Sequence, residues 1–194
     1  MQKPRNYEET KAFSQYEPLP AGCYVCKIMQ VVETVSKTDK PMVVISLDIA
    51  EGEYKDFYAK AYKEDTREDK KWGCNVYMLT EDPDGNTSRK FKGFIESVAG
   101  SNTGWNVVWG EKFAACFKGK IVGGLFGREE YRKQTGDTAW STKCFYFDTV
   151  DRVREGKCKA PKDKYLQQDS GAPVSGAGDG FMNIPDGTDE DLPF

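Results

Sequence analysis

Between positions 41 and 50 the chain alternates with a period of two. Val43, Ile45, Leu47 and Ile49 are apolar, and Val44, Ser46, Asp48 and Ala50 stand between them. Successive side chains of a strand point to opposite faces, so this run predicts a strand with one face in a core. Such a strand needs paired edges and a covered face, so the chain is bound to build a sheet. Upstream, residues 23–35 are rich in β-branched and aromatic types, and Ser36-Lys-Thr-Asp-Lys-Pro41 supplies turn chemistry. That gives strand, turn, strand. A third strand is expected over 55–62, with Phe57, Ala59 and Ala61 on one side and Tyr58, Lys60 and Tyr62 on the other.

Residues 63–87 are charged and turn-rich and read as a long excursion with one helical turn. A helix follows: Thr87 or Ser88 caps it, Phe91, Phe94, Ile95 and Val98 recur at i, i+3, i+4, i+7, and Gly100 stops it. Two further strands are expected over 112–126 and 138–153, joined by a long hairpin turning at 135–137, and Gly119, Gly123, Gly124 and Gly127 fit a strongly bent strand. Three strands, a helix and two strands is the order of a mainly β, OB-fold-like five-stranded Greek-key barrel with one helix between the third and fourth strands. Its ligand face centres on the second and third strands and the loops beside them.

The 194 residues accommodate one domain with appendages. The polar first nine residues hold no apolar stretch suited to a signal peptide, and nowhere do about 18 apolar residues run together. A soluble cytoplasmic protein with no membrane association is expected, its six cysteines reduced. The formal charge of −3 hides a division. Residues 169–194 carry six acids and no Lys or Arg, which leaves 25 acidic and 28 basic residues in 1–168, a body of +3 and a tail of −6. The tail begins as Gly, Ser, Ala and Pro with almost nothing to bury, which predicts disorder. The resulting division is an N-terminal arm (1–19), an OB-like domain (20–164), a disordered linker (165–185) and an acidic tip (186–194).

The chain ends Asp189-Glu190-Asp191-Leu192-Pro193-Phe194. This ending resembles the tip of the bacterial single-stranded DNA-binding proteins, phage and prophage versions above all, in which a run of acids precedes an aliphatic residue, Pro and a terminal Phe. The resemblance covers those six residues and does not extend to body motifs in 1–164. It implies sequence-nonspecific binding and protection of single-stranded DNA, with the tip docking replication and recombination proteins. The chemistry of the tip suits docking, since Phe194 offers an aromatic anchor, its carboxylate a target for Arg or Lys, and the acids long-range steering.

Single strands require stacking platforms for bases and cations for phosphates. Two clusters qualify. The first is Tyr58, Lys60 and Tyr62 with Lys70, Lys71 and Trp72, and the second is Arg128, Tyr131, Arg132, Lys133 and Trp140. The like-charged Glu129-Glu130 pair counts against the second as a uniform phosphate groove. Cys23-Tyr-Val-Cys26 could form half a zinc site, but the chain has no histidine and no second paired-cysteine motif, so no metal or other cofactor is expected. Without histidine or a phosphate-cradling Gly-Lys-Ser/Thr loop, catalysis is not expected either. The alternative is a non-catalytic replication or recombination adaptor that binds protein rather than DNA. Nothing in the sequence sets the oligomeric state, and self-association is compatible with it.

Overall fold

The computed structural model describes residues 3, 5, 17–133 and 135–166. The acidic tip, the linker beyond Leu166 and most of the N-terminal arm lie outside the described residues. Strand β1 (Gly22–Val35) pairs antiparallel with β2 (Pro41–Ile49), from Cys26↔Ile49 to Val35↔Pro41. The connection is pinned by the Ser36 hydroxyl, which accepts hydrogen bonds from the Thr38 and Lys40 amides (3.3 and 3.1 Å), while Asp39 takes φ 55°. Asp tolerates that left-handed conformation. Val43, Ile45, Leu47 and Ile49 face the core as expected, but Val44, Ser46 and Asp48 on the opposite side are buried as well.

Part of that second cover corrects an expectation. Residues 55–62 do not form a strand: α1 (Phe57–Glu64) is a helix. Over eight residues a period of two and a helical face are easily confused, and Ala59, Lys60, Ala61, Lys63 and Glu64 favour a helix. The deciding group is remote in sequence. Asp48, pointing outward from β2, accepts the amides of Tyr58 (2.9 Å) and Ala59 (3.2 Å), so a strand carboxylate caps the helix, and Asp56 before it takes φ 59°. The third strand lies instead inside the charged excursion. β3 (Asn75–Leu79) pairs with β2 from Met42↔Leu79 to Ser46↔Asn75, with Val76 and Met78 turned inward.

Helix α2 (Arg89–Ser101) buries Phe91, Phe94 and Val98, as its spacing predicts. Gly100 lies inside the helix, not at its stop: a Cβ there would stand 2.9 Å from Thr149 Cγ2, so it permits close packing. Asn102 ends the helix and ties it to the next strand, donating from Nδ2 to the Val98 and Ile121 carbonyls (both 2.8 Å) and accepting the Ile121 amide at Oδ1 (3.2 Å). The expected strand at 112–126 starts later. A 3-10 turn (Ala114–Phe117) comes first, and β4 covers Ile121–Arg132. β5 (Thr138–Asp148) is shorter than expected and gives way to α3 (Val150–Arg154), whose Asp151 and closing Arg152 and Arg154 suit a helix dipole.

The described strands form one open antiparallel sheet in the order β3-β2-β1-β4-β5. β1 is shared: its first residues, Gly22 to Lys27, pair with β4, and a register shift between Ile28 and Gln30 interrupts its ladder with β2. The two edge strands, β3 and β5, come within 8 Å Cα separation of each other. Between the sheet and α2, Phe94 stacks on Phe117 (centroids 5.3 Å) and meets Phe147 (4.8 Å), with Phe126 and Val122 fully buried nearby. No helix of the described residues is long and apolar enough to cross a membrane.

Candidate nucleic-acid interface

β4 pairs with β1 only as far as Phe126, whereas its pairing with β5 continues from Gly127↔Lys143 to Arg132↔Thr138. The two strands thus run on as a two-stranded arm. Alternation sorts its side chains. Arg128, Arg132 and Trp140 continue the core-facing side of the sheet, and Tyr131 lies on the outer side. The second predicted cluster is therefore brought to one arm but divided between two faces, with Lys133 at the turn.

On the Trp140 face a segment absent from the predicted site completes the geometry. Residues 160–166 run beside β4 past the start of β1: the Lys164 amide donates to the Arg128 carbonyl, and the Glu130 amide to the Lys164 carbonyl (both 2.8 Å). The Leu166 amide continues this strap, donating to Glu130 Oε2 (3.2 Å). Tyr165 meets the Trp140 ring edge-on (5.2 Å), and the Arg128 guanidinium lies 5.4 Å over the same indole. Both Nε and Nη2 of Arg128 donate to the Asp163 carboxylate, which holds that carboxyl below the usual carboxylate range. Trp140 is 38% exposed and Tyr165 69%, so both rings keep open surface. Beside them an open groove of about 710 Å³ is lined by Pro20, Ala21, Arg128, Pro161, Asp163 and Tyr165, among others. A guanidinium laid against an exposed indole, with a second exposed ring beside it, can stack bases, and can take up a phosphate where the phosphate replaces the Asp163 carboxylate.

The first predicted cluster comes apart and partly reassembles. Because 57–64 is helical, Tyr58 and Tyr62 share a face and Lys60 points elsewhere, donating to the Lys55 carbonyl (2.8 Å). Tyr58 is buried in the core and presents no ring face to a base. Tyr62, Lys70 and Trp72 do come together: the rings of Tyr62 and Trp72 are 5.6 Å apart, and Lys70 Nζ lies 4.5 Å over Tyr62. Trp72 Nε1 donates to the Leu47 carbonyl (2.7 Å), fixing the indole against β2, while Lys71 is exposed. The expected open face on the second strand is not there, since α1 and residues 72–75 cover Ser46 and Asp48.

The predicted partner-docking residues, Asp189, Glu190, Asp191, Leu192, Pro193 and Phe194, lie outside the described residues. Cys26 is buried and Cys23 half-buried, each thiol raised by desolvation, Cys23 to about 12 with a hydrogen bond to Cys158 contributing. Trp109, 65% exposed and stacked on Phe113 (5.4 Å), has no periodic element around it that would mark it in the sequence. Tyr165 stands at the edge of the expected linker, where composition offers no reason to weigh it. The chain matches no model of a known protein family, and among curated proteins no match is found.

Proposed function

We propose that the protein binds single-stranded DNA without altering it chemically, and that the β4–β5 arm is its principal contact. The observation that carries this reading is the Arg128–Trp140–Tyr165 assembly, in which a guanidinium and two exposed rings converge beside an open groove. The order β3-β2-β1-β4-β5, with β1 shared and the edge strands close together, supports an OB-type barrel opened between its third and fifth strands. Tyr62, Lys70 and Trp72 form a secondary contact. On this reading the acidic tip docks replication or recombination proteins, as its likeness to the bacterial and phage single-stranded DNA-binding proteins implies. Titrating oligo-dT into the protein should quench indole fluorescence, and Trp140→Ala should remove much of the quench and weaken binding by about 1–3 kcal/mol, the cost of one lost stacking platform. Unchanged affinity in that variant would take the arm out of the interface.

The adaptor reading is favoured by one observation, the exposure of Val108 (45%) and Trp109 (65%) together on one loop. An apolar protein interface there would be insensitive to salt, whereas release of counterions from DNA makes its binding steeply salt-dependent.

A further inference from the structure

The outer face at the base of the arm gathers a second set of cations that no local pattern in the sequence groups. Lys90 comes from the first turn of α2, Lys143 from β5 and Lys164 from the strap. Lys164 Nζ lies 4.0 Å over the Phe145 ring and Lys90 Nζ 5.7 Å over that of Tyr146. Lys143 is 3.0 Å from Glu129 Oε2. Phe145 can lie flat here only because residue 127 is glycine: a Cβ would stand 2.6 Å from its Cε2. Tyr146 beside it is 46% exposed.

The lysines feel one another. Burial lowers the Lys164 pKa, Glu129 opposes that, and Lys90 and Lys143 lower it further. Strand pairing does not require lysines from three elements to share this face, and Glu129 offsets part of the repulsion that Lys164 feels from Lys90 and Lys143. A polyanion relieves that repulsion, and an exposed tyrosine beside it offers a base its stacking surface.

We propose that the face formed by Lys90, Lys143, Lys164 and Tyr146 is a second binding surface for single-stranded DNA, taking backbone phosphates among the lysines and a base on the tyrosine ring. A strand held at Trp140 then passes over the arm and continues on its outer side. This inference rests on the reading that the protein binds single-stranded DNA, and it adds a contact that a short oligonucleotide does not reach.

The test compares the full chain with its K90Q/K143Q/K164Q variant, each titrated with oligo-dT of roughly 8 and roughly 30 nucleotides over a range of salt, lengths that bracket the span of one small barrel. For the long strand, the slope of log K against log salt should fall by about 2 in the variant, three phosphate contacts at about 0.7 each, with the short strand bound as before. Tyr146→Phe should bind the long strand like the parent, and Tyr146→Ala more weakly, while both keep the parent's near-ultraviolet circular dichroism. An unchanged slope with tight parent binding would overturn this surface and leave the arm reading intact. Tighter binding in the variant would overturn it too, and would mark the lysines as a seat for an anion that competes with DNA. If the parent binds neither strand, the arm reading falls and this surface with it.

Discussion

Asp48 is a carboxylate buried on the outward side of β2, and it holds three backbone amides, those of Ile49, Tyr58 and Ala59. Desolvation raises its pKa, and the amides offset only part of that rise. The folded state therefore retains the proton more readily than the unfolded chain, so Asp48 lowers stability as pH rises from the unfolded value near 3.8 through the folded one. Asp163 and Asp65 act oppositely: bound to Arg128 and Arg67 their pKa values are lowered, Asp65 to about 2, and their contribution is present above the ordinary value and lost as pH falls. A carboxyl-carbon NMR titration should place the Asp48 midpoint above 3.8 and those of the other two below it. Asp48→Ala strands buried amides and should cost about 2–3 kcal/mol in denaturant unfolding, with α1 the first element affected. Cys26, Cys74 and Cys144 are buried and their thiols raised, so a thiol reagent at neutral pH should modify them only as fast as the protein opens. The cationic and aromatic character of Arg128 and Trp140 is legible from their types alone. Asp163, 35 positions from Arg128, is not, because nothing local to either residue announces the pair.

At the scale of elements, legibility follows the length of the pattern. β2 and α2 declare themselves through four apolar positions each at one period, and both stand where the pattern puts them. The eight residues of α1 carry too few periods to separate strand from helix, and the group that decides, Asp48, lies on another element. β3 is five residues long and sits among charges that mask the alternation of Cys74, Val76 and Met78. β4 starts later than its apolar residues suggest because Phe113 and Phe117, apolar like strand residues, reach the core from a helical turn. The strap over 160–166 cannot be foreseen, since its bonds to β4 depend on β1 beginning only at Gly22, opposite Phe126. Removing its side-chain anchors with Asp163→Asn and Tyr165→Ala should speed amide exchange at Glu130 and Lys164 while leaving β2 protected. Equal exchange in parent and variant would mean that backbone bonds alone retain the strap.

Over the whole molecule, charge and fold divide the work. The body carries +3 and the segment beyond residue 168 carries −6, so a chain that is acidic as a whole still has a cationic body. Cations are placed against rings on the arm and at its base, at Arg128 and Trp140 on one face and at Lys90, Lys164, Phe145 and Tyr146 on the other. A phosphate backbone with unstacked bases matches that arrangement better than duplex DNA, whose bases are already stacked. The most direct measurement is a fluorescence-anisotropy titration of labelled oligo-dT and of a matched duplex with the full chain at low and moderate salt. Binding that prefers the single strand and weakens steeply with salt is the predicted result; absence of binding at low salt, or equal affinity for the duplex, would contradict it.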